Sequence, residues 1–458
     1  MMNIRNEIKR RLDAPRLTIW FCAFCLIFGI PLVFLYPPFL ASDEIAHFYR
    51  AYQVSEFRLF SDANGQEGGG ILPSSLTATV DVVKENMLDI PGFTLESLKD
   101  IPRIPLAPHD RTWTAFTGSA LYSPLPYLPQ ALGILIGRVF NSTPLTLHYF
   151  ARICSLLTWA LMGMLALKTI PIYKNVLFIL MLSPLVFSKA VVVTADVVTV
   201  GACALLVCQA LKIACGEQNV TRGDVTLLFI YAALVGFCKI VYAPLAALCF
   251  LIPIKRLGSR KRFWLICGGA IIIAFAANFL WMFCLAGNLP IRTNTSAQPG
   301  VQVGYILSHP LSFVKVVWRY TYEYLWPNFQ SIFGSLIVWR EVWLPAWVIA
   351  LLWAAVLFAA IMDKPAYDLR LWKKAGVLAV VLCEYVLIIA SLYVSFSTPM
   401  ATRVQGMQAR YMFPLMLPFL LIFKRKKAGQ FNASAVCVPV SFVSLFVLII
   451  AMYSRFKS

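Results

Sequence analysis

Apolar residues run through this chain in blocks of about bilayer length, separated by short loops rich in lysine and arginine. The first block, residues 17–36, follows Arg5, Lys9, Arg10, Arg11 and Arg16, and it is close to the roughly 20 residues a helix needs to cross a membrane. Further blocks lie at about 150–167, 174–192, 196–214, 225–238, 240–254, 263–287, 343–362, 374–394, 408–423 and 432–453. Together they predict eleven crossings. The first block ends in Tyr36-Pro37-Pro38 and not in a small-residue cleavage site, so it reads as a retained helix. Basic loops test the register. Lys168/Lys174, Lys212/Arg222, Lys255-Arg256 with Arg260-Lys261-Arg262, Lys364/Arg370/Lys373/Lys374 and Lys424-Arg425-Lys426-Lys427 all fall on the cytoplasmic side, together with the N-terminus. A single helix over 225–254 would move the loop 255–262 outside. Two short helices bent at Lys239 and Pro244 are therefore preferred.

This register leaves two large external segments, 37–150 and 288–340, within one integral membrane domain over 1–458. The expected class is an all-α polytopic membrane protein. The first segment holds 11 of the 21 acidic residues and reads as packed on the membrane face. Gly65 to Gly70 reads as a flexible tip, and 71–110 as turns and short amphipathic helices such as Leu76 to Leu88. Tyr122 to Gln130 is too proline-broken for a regular span. Ala131 to Phe140 is too short to cross alone, so 122–140 is placed at the interface.

Composition agrees with the pattern. Hydrophobic residues make up 60% and charged residues 13%, with mean hydropathy +0.74, more apolar sequence than a soluble core could use. The formal charge of +19 would suggest nucleic acid in a soluble protein. Here it sits in topology-setting loops, and no nucleic-acid partner is read from it. The twelve cysteines lie in or beside apolar blocks, with none between Cys25 and Cys154, which argues against a disulfide framework. Cys22 and Cys25, inside the first block without a nearby His or carboxylate, read as small buried residues and not as metal ligands.

Candidate chemistry begins where the first block ends, in Pro37-Pro38-Phe39-Leu40-Ala41-Ser42-Asp43-Glu44-Ile45-Ala46-His47-Phe48-Tyr49-Arg50. Charge at membrane depth is costly and usually faces a cavity or a partner. The same register gathers other polar residues on the external side: Lys189, Asp196, Lys239, Tyr242, Arg319, Tyr322, Glu323, Arg403 and Arg410. Each has a plain structural reading. Ser42, Asp43 or Asp196 could cap a helix, Lys239 could snorkel, Glu323 could pair with Arg319 at helical spacing, and Arg410 could anchor at the interface. As a set they supply carboxylates to take a proton and cations to bind an anion.

The order of features resembles the GT-C superfamily of membrane glycosyltransferases: a first helix, an external acidic pair, a Pro-Leu-x-Tyr segment (Pro124 to Tyr127), Arg152 opening a helix and a second external Asp196. More closely, Pro37-Pro-Phe-x-x-x-Asp-Glu-x-x-His-Phe-x-Arg-Ala51, Tyr127-Leu-Pro-Gln-Ala-Leu-Gly133, Ser183-Pro184 followed by Thr194-Ala-Asp196, Lys239-x-x-Tyr-x-Pro-Leu245 and Val404-Gln-Gly-Met-Gln-Ala-Arg-Tyr-Met-x-Pro-Leu415 resemble a bacterial family. Its members are multi-pass membrane proteins catalogued as a domain of unknown function and associated with cell-surface polysaccharide. The resemblance spans 31–423. It implies a GT-C-like fold in the bacterial inner membrane with a periplasmic active site. The implied reaction is inverting transfer of a sugar, with glucose a special case, from a polyprenyl-phosphate carrier to a lipid-linked or lipopolysaccharide glycan such as O-antigen.

On that reading Asp43 is the general base, Glu44 orients it or the acceptor, and His47 and Asp196 bind around it. Arg410 holds the phosphate with Lys239 and Arg403 as helpers, because a guanidinium makes bidentate contacts to phosphate oxygens. Tyr122, Tyr242, Tyr322, Glu323, Trp326 and Trp339 complete the expected sugar and lipid contacts. Asp43, Glu44, His47 and Asp196 could ligate a divalent ion. With four basic side chains available, the expectation is a reaction without metal or other cofactor. The competing reading is a transporter or flippase for lipid-linked sugars, which predicts repeats with broken helices near the midplane.

Overall fold

In a computed structural model the chain is described over residues 2–285, 297–334, 336–338, 342–363, 369–424 and 432–457, with backbone only for residues 2–15, 336 and 338. Trp339, Lys364, Arg425, Lys426, Lys427 and the part 288–296 of the second expected external segment lie outside the described residues.

The chain is mostly helical, and among the described residues six helices are long and apolar enough to cross a membrane: Arg16–Leu35, Pro144–Thr169, Asp196–Cys215, Arg260–Leu285, Leu371–Ser395 and Ser434–Phe456. Three shorter apolar helices, Ile240–Leu251, Ala346–Met362 and Ala409–Leu421, accompany them. The elements that position the site are α1 (Met2–Leu35), α2 (Glu44–Ser55), α3 (Leu128–Val139), α4 (Pro144–Thr169), α5 (Lys174–Met181), α6 (Pro184–Ala190), α7 (Asp196–Cys215), α8 (Arg222–Cys238) and α9 (Arg260–Leu285). Within α7, 89% of the apolar window is buried, so this helix is the centre around which α4, α6 and α8 pack.

The crossing expected over 174–192 is interrupted and the one expected over 240–254 departs from the α-helix, each where a proline sits. Over 174–192 the chain forms α5 and α6 in place of one helix, because Ser183, which precedes Pro184, takes an extended conformation with ψ 138° as proline sterics require of its neighbour. Beyond α8, Lys239 is extended at φ −164°, ψ 113°, and Ile240–Leu251 is a 3-10 helix with Pro244 inside it. Proline has no N–H and its ring crowds the carbonyl four residues back. The break expected at Lys239 is present, but the segment beyond it is not an α-helix. At the crossing of α8 and α9, a Cβ on Gly236 would stand 2.0 Å from the Ala274 carbonyl oxygen, so backbone meets backbone there.

The segment after α1 is not purely helical. Asp62–Asn64 (β1), Glu67–Pro73 (β2) and Arg111–Ala115 (β3) form an antiparallel sheet in the order β1-β2-β3. This corrects the flexible tip expected at Gly65 to Gly70. Asn64 pairs with Glu67, so Gly65-Gln66 is a two-residue hairpin turn with Gly65 at φ 60° in its first position, while Gly68, Gly69 and Gly70 are buried strand residues. A Cβ on Gly69 would meet the Thr114 carbonyl oxygen at 2.3 Å. The glycines permit close strand pairing and do not confer slackness.

Candidate functional site

The two neighbouring carboxylates of Asp43-Glu44 have opposite surroundings. Asp43 occupies the cap position of α2, yet its side chain caps nothing, and its backbone is left-handed at φ 62°, ψ 6°, a region that aspartate tolerates better than most residues. This turn leaves its carboxylate 60% exposed and 3.5 Å from Arg410 Nη2, with Ser42 Oγ donating to it at 3.1 Å. Glu44 points the other way and is fully buried. Arg152 donates to it through Nε at 2.9 Å and Nη2 at 2.8 Å, His148 Nε2 lies 3.0 Å away, and the Val193 N–H donates to Oε1 at 3.0 Å. The remaining Arg152 hydrogens go to the carbonyls of Val33, Tyr36 and Pro37. Burial alone would raise the Glu44 pKa, but Arg152 and His148 outweigh it and hold the carboxyl well below the usual range.

Glu44, expected to orient Asp43 or the acceptor, spends its carboxylate oxygens on partners inside the protein. Glu44 is a clamp that ties the end of α1 to α4 and to the loop before α7, and it has no face left for a substrate. Its bond to Val193, with Gln130 Nε2 donating to the Thr194 carbonyl at 2.9 Å, fixes the loop that delivers Asp196.

Asp196 begins α7, and its Oδ2 lies 3.3 Å from Arg410 Nε without being aligned to accept a hydrogen bond. Arg410, in the 3-10 turn Ala409–Met412, is only 7% exposed. Its Nε and Nη1 have no hydrogen-bond partner, and Nη2 makes two long contacts of 3.5 Å, to Asp43 and to the Tyr411 hydroxyl. A buried guanidinium held this loosely between two carboxylates is under-satisfied, since removing its water without replacing the hydrogen bonds carries a free-energy cost.

Around this trio the structure places several further residues. His47 Nδ1 is 2.7 Å from the Tyr127 hydroxyl. Burial brings the His47 pKa down to about 4, although Asp196 and Asp43 pull the other way, so the ring is neutral at physiological pH. Lys239 lies 4.4 Å from the centre of the Tyr411 ring and 6.0 Å from that of Tyr122, cation–π distances. Tyr242 donates to the Tyr411 carbonyl at 2.8 Å, which orients the turn carrying Arg410. Lys189 of α6 shares a small chamber with Asp196, Arg410 and Trp159.

Other expected contacts lie apart from these. Glu323 accepts from Arg319 at 2.9 Å and from Arg403 at 3.1 Å in a well-exposed cluster, so Arg403 is committed to a carboxylate. Tyr322 and Trp326 are 82% and 65% exposed. Among the described residues no group of three or more His, Cys, Asp and Glu side chains converges as a metal site. Asp43 and Asp196 face the Arg410 guanidinium, and Glu44 is closed inside its clamp. Sequence reasoning reaches Arg152 and Lys189 without giving either a part in the site. The available signal was spacing, because His148 and Arg152 stand one helical turn apart in an otherwise apolar helix.

Fold and site together define a multi-pass helical membrane protein with an acid–arginine centre where broken helices meet. The chain belongs to the family described as Predicted membrane protein (DUF2142), which it matches over residues 26–419. No curated protein and no solved structure matches it.

Proposed function

We propose that this protein is an inverting GT-C-type glycosyltransferase that moves a sugar from a polyprenyl-phosphate carrier to a lipid-linked or lipopolysaccharide glycan. In this reading the chain crosses the bacterial inner membrane eleven times and works at its periplasmic face. The observation that carries the reading is Arg410: a buried guanidinium with unused donors, poised between an exposed carboxylate and a partly buried one.

The chemistry follows from these positions. The acceptor hydroxyl gives its proton to Asp43 as its oxygen attacks the anomeric carbon. The bond from that carbon to the phosphate oxygen breaks, and its electron pair leaves on the lipid phosphate. Arg410 and Lys239 neutralise the charge that develops there, as fixed cations do where solvent is excluded. Donor binding draws Arg410 away from Asp43, so the same event that seats the phosphate frees the base. Asp196 faces the guanidinium from its other side, Tyr127 positions neutral His47 through its hydroxyl, and Tyr122 offers a ring face to the sugar.

A flippase for lipid-linked sugars is the second reading, favoured by the breaks at Ser183-Pro184 and Lys239. Purified protein given a labelled polyprenyl-phosphate sugar and a glycan acceptor separates the two. The transferase reading expects labelled acceptor, with Arg410→Met lowering the rate by about 10²-fold or more, comparable to losing one oxyanion-stabilising donor. Movement of the donor across vesicles with no transfer would establish the flippase.

A further inference from the structure

Lys189 lies on α6, between the break at Ser183-Pro184 and the loop that delivers Asp196. It is 7% exposed, and among the described residues no carboxylate lies within ion-pair distance of it. That is an unusual arrangement, because the ammonium of a buried side chain with no carboxylate beside it keeps little of its hydration and receives little in return. It lines a chamber with Trp159, Val186, Asp196, Val200 and Arg410, and that chamber is closed to roughly the size of a water molecule. Its lining is mostly apolar, with Lys189, Arg410 and Asp196 as the charged members.

The formal charges lining this region do not balance. Arg410, Lys189 and Lys239 face Asp43 and Asp196, because Glu44 is already matched by Arg152 and His47 is neutral. Arg50, a further buried cation, stands outside this group: among the described residues it makes no hydrogen bond or ion pair with any of these five side chains, and its hydrogens go to Gln53 and to the Leu59 and Tyr122 carbonyls. One positive charge is left over, and Lys189 carries it. Among the described residues its ammonium forms no hydrogen bond to the carbonyls at the end of its own short helix.

We infer that Lys189 is an anion receptor of the site, taking an oxygen of a phosphodiester with a single negative charge alongside Arg410 and Lys239. Such a ligand restores neutrality, whereas a diphosphate would leave the chamber with excess negative charge. The inference rests on the transferase reading for the identity of the phosphodiester as a lipid-linked sugar. The charge argument itself concerns binding alone. The chamber must open for this ligand, and the contact that yields is the 3.5 Å pair of Arg410 with exposed Asp43. The aligned contacts of the Glu44 clamp stay in place.

Binding of three farnesyl probes to the purified full chain in detergent tests the inference: farnesol without charge, farnesyl methyl phosphate with one negative charge, and farnesyl diphosphate with more. Dimethyl phosphate serves as a competitor that has the same head without the tail. The expected order is farnesyl methyl phosphate first, with at least a tenfold preference over the other two. Dimethyl phosphate should compete only weakly if the source is a lipid headgroup, and fully if the site serves free phosphodiesters. Lys189→Met should lower affinity for farnesyl methyl phosphate by tenfold or more and leave farnesol unchanged. Its thermal midpoint should be equal or higher, because an unpaired buried charge has been removed.

Equal affinity of wild type and Lys189→Met would overturn the receptor role while leaving the transferase reading intact. Tighter binding of the diphosphate would overturn the charge argument, and this measurement needs no variant. Failure of the transfer assay alongside normal phosphodiester binding would remove the transferase reading and keep the receptor.

Discussion

Asp43 and Glu44 are neighbours of similar chemistry, and their neutral amide variants should separate activity from stability. Asp43→Asn changes a largely exposed side chain whose contact with Arg410 is 3.5 Å long, so its effect on stability should stay within about 0.5 kcal/mol. Glu44→Gln changes a side chain with no solvent exposure that accepts from Arg152 twice and from Val193 once. The amide offers one acceptor in place of two, turns an N–H₂ toward Arg152 donors, and leaves a buried guanidinium without a counter-charge. Losing one partner of a buried pair costs about 3–5 kcal/mol, a large part of the total stability of an ordinary domain.

In detergent, unfolding midpoints for Asp43→Asn should overlay wild type while transfer falls roughly 10²-fold or more through loss of the general base. Glu44→Gln should unfold far earlier, and its activity at low temperature should track the folded fraction. Adding Arg152→Met to Glu44→Gln should recover part of the loss, since both charges are then gone. Two results would refute the reasoning. Full transfer by a stable Asp43→Asn protein would remove the base, and a stable but inactive Glu44→Gln protein would return Glu44 to the chemistry.

Arg410→Lys keeps the charge but not the planar fork, so transfer should fall strongly with little change in unfolding; normal activity would make Arg410 an interfacial anchor. An impermeant maleimide applied to spheroplasts should label Gln66→Cys, in the exposed β1-β2 turn, and not Ser259→Cys in the basic loop, which tests the orientation assigned from charge segregation. His47 binds a proton more weakly folded, near 4, than its ordinary value of about 6.5. Between those values the unfolded chain holds the extra proton, so His47 makes stability rise with pH through that window and adds no slope above it. His47→Gln should flatten that part of an unfolding profile, and an unchanged profile would mean that the ring is solvated.

Hydropathy blocks, basic loops and the acidic pair at the end of the first helix are local properties, and the sequence alone determined that this is a multi-pass membrane protein with charge concentrated near Asp43. The breaks near Lys239 and Ser183 were also within reach, since proline restricts its own and its neighbour's backbone wherever it occurs. What the sequence could not determine was how adjacent carboxylates divide their work. The left-handed turn at Asp43 sends its side chain outward and Glu44 inward, toward an arginine 108 positions along the chain that is itself held by carbonyls at the end of α1. Lys189 and Arg403 show the same limit. Both are cations in the same predicted layer, yet packing leaves Lys189 buried without a carboxylate and ties Arg403 to Glu323 at the surface. Burial and pairing depend on which helices meet, and that is decided by how broken segments close around α7, not by any residue's neighbours in sequence.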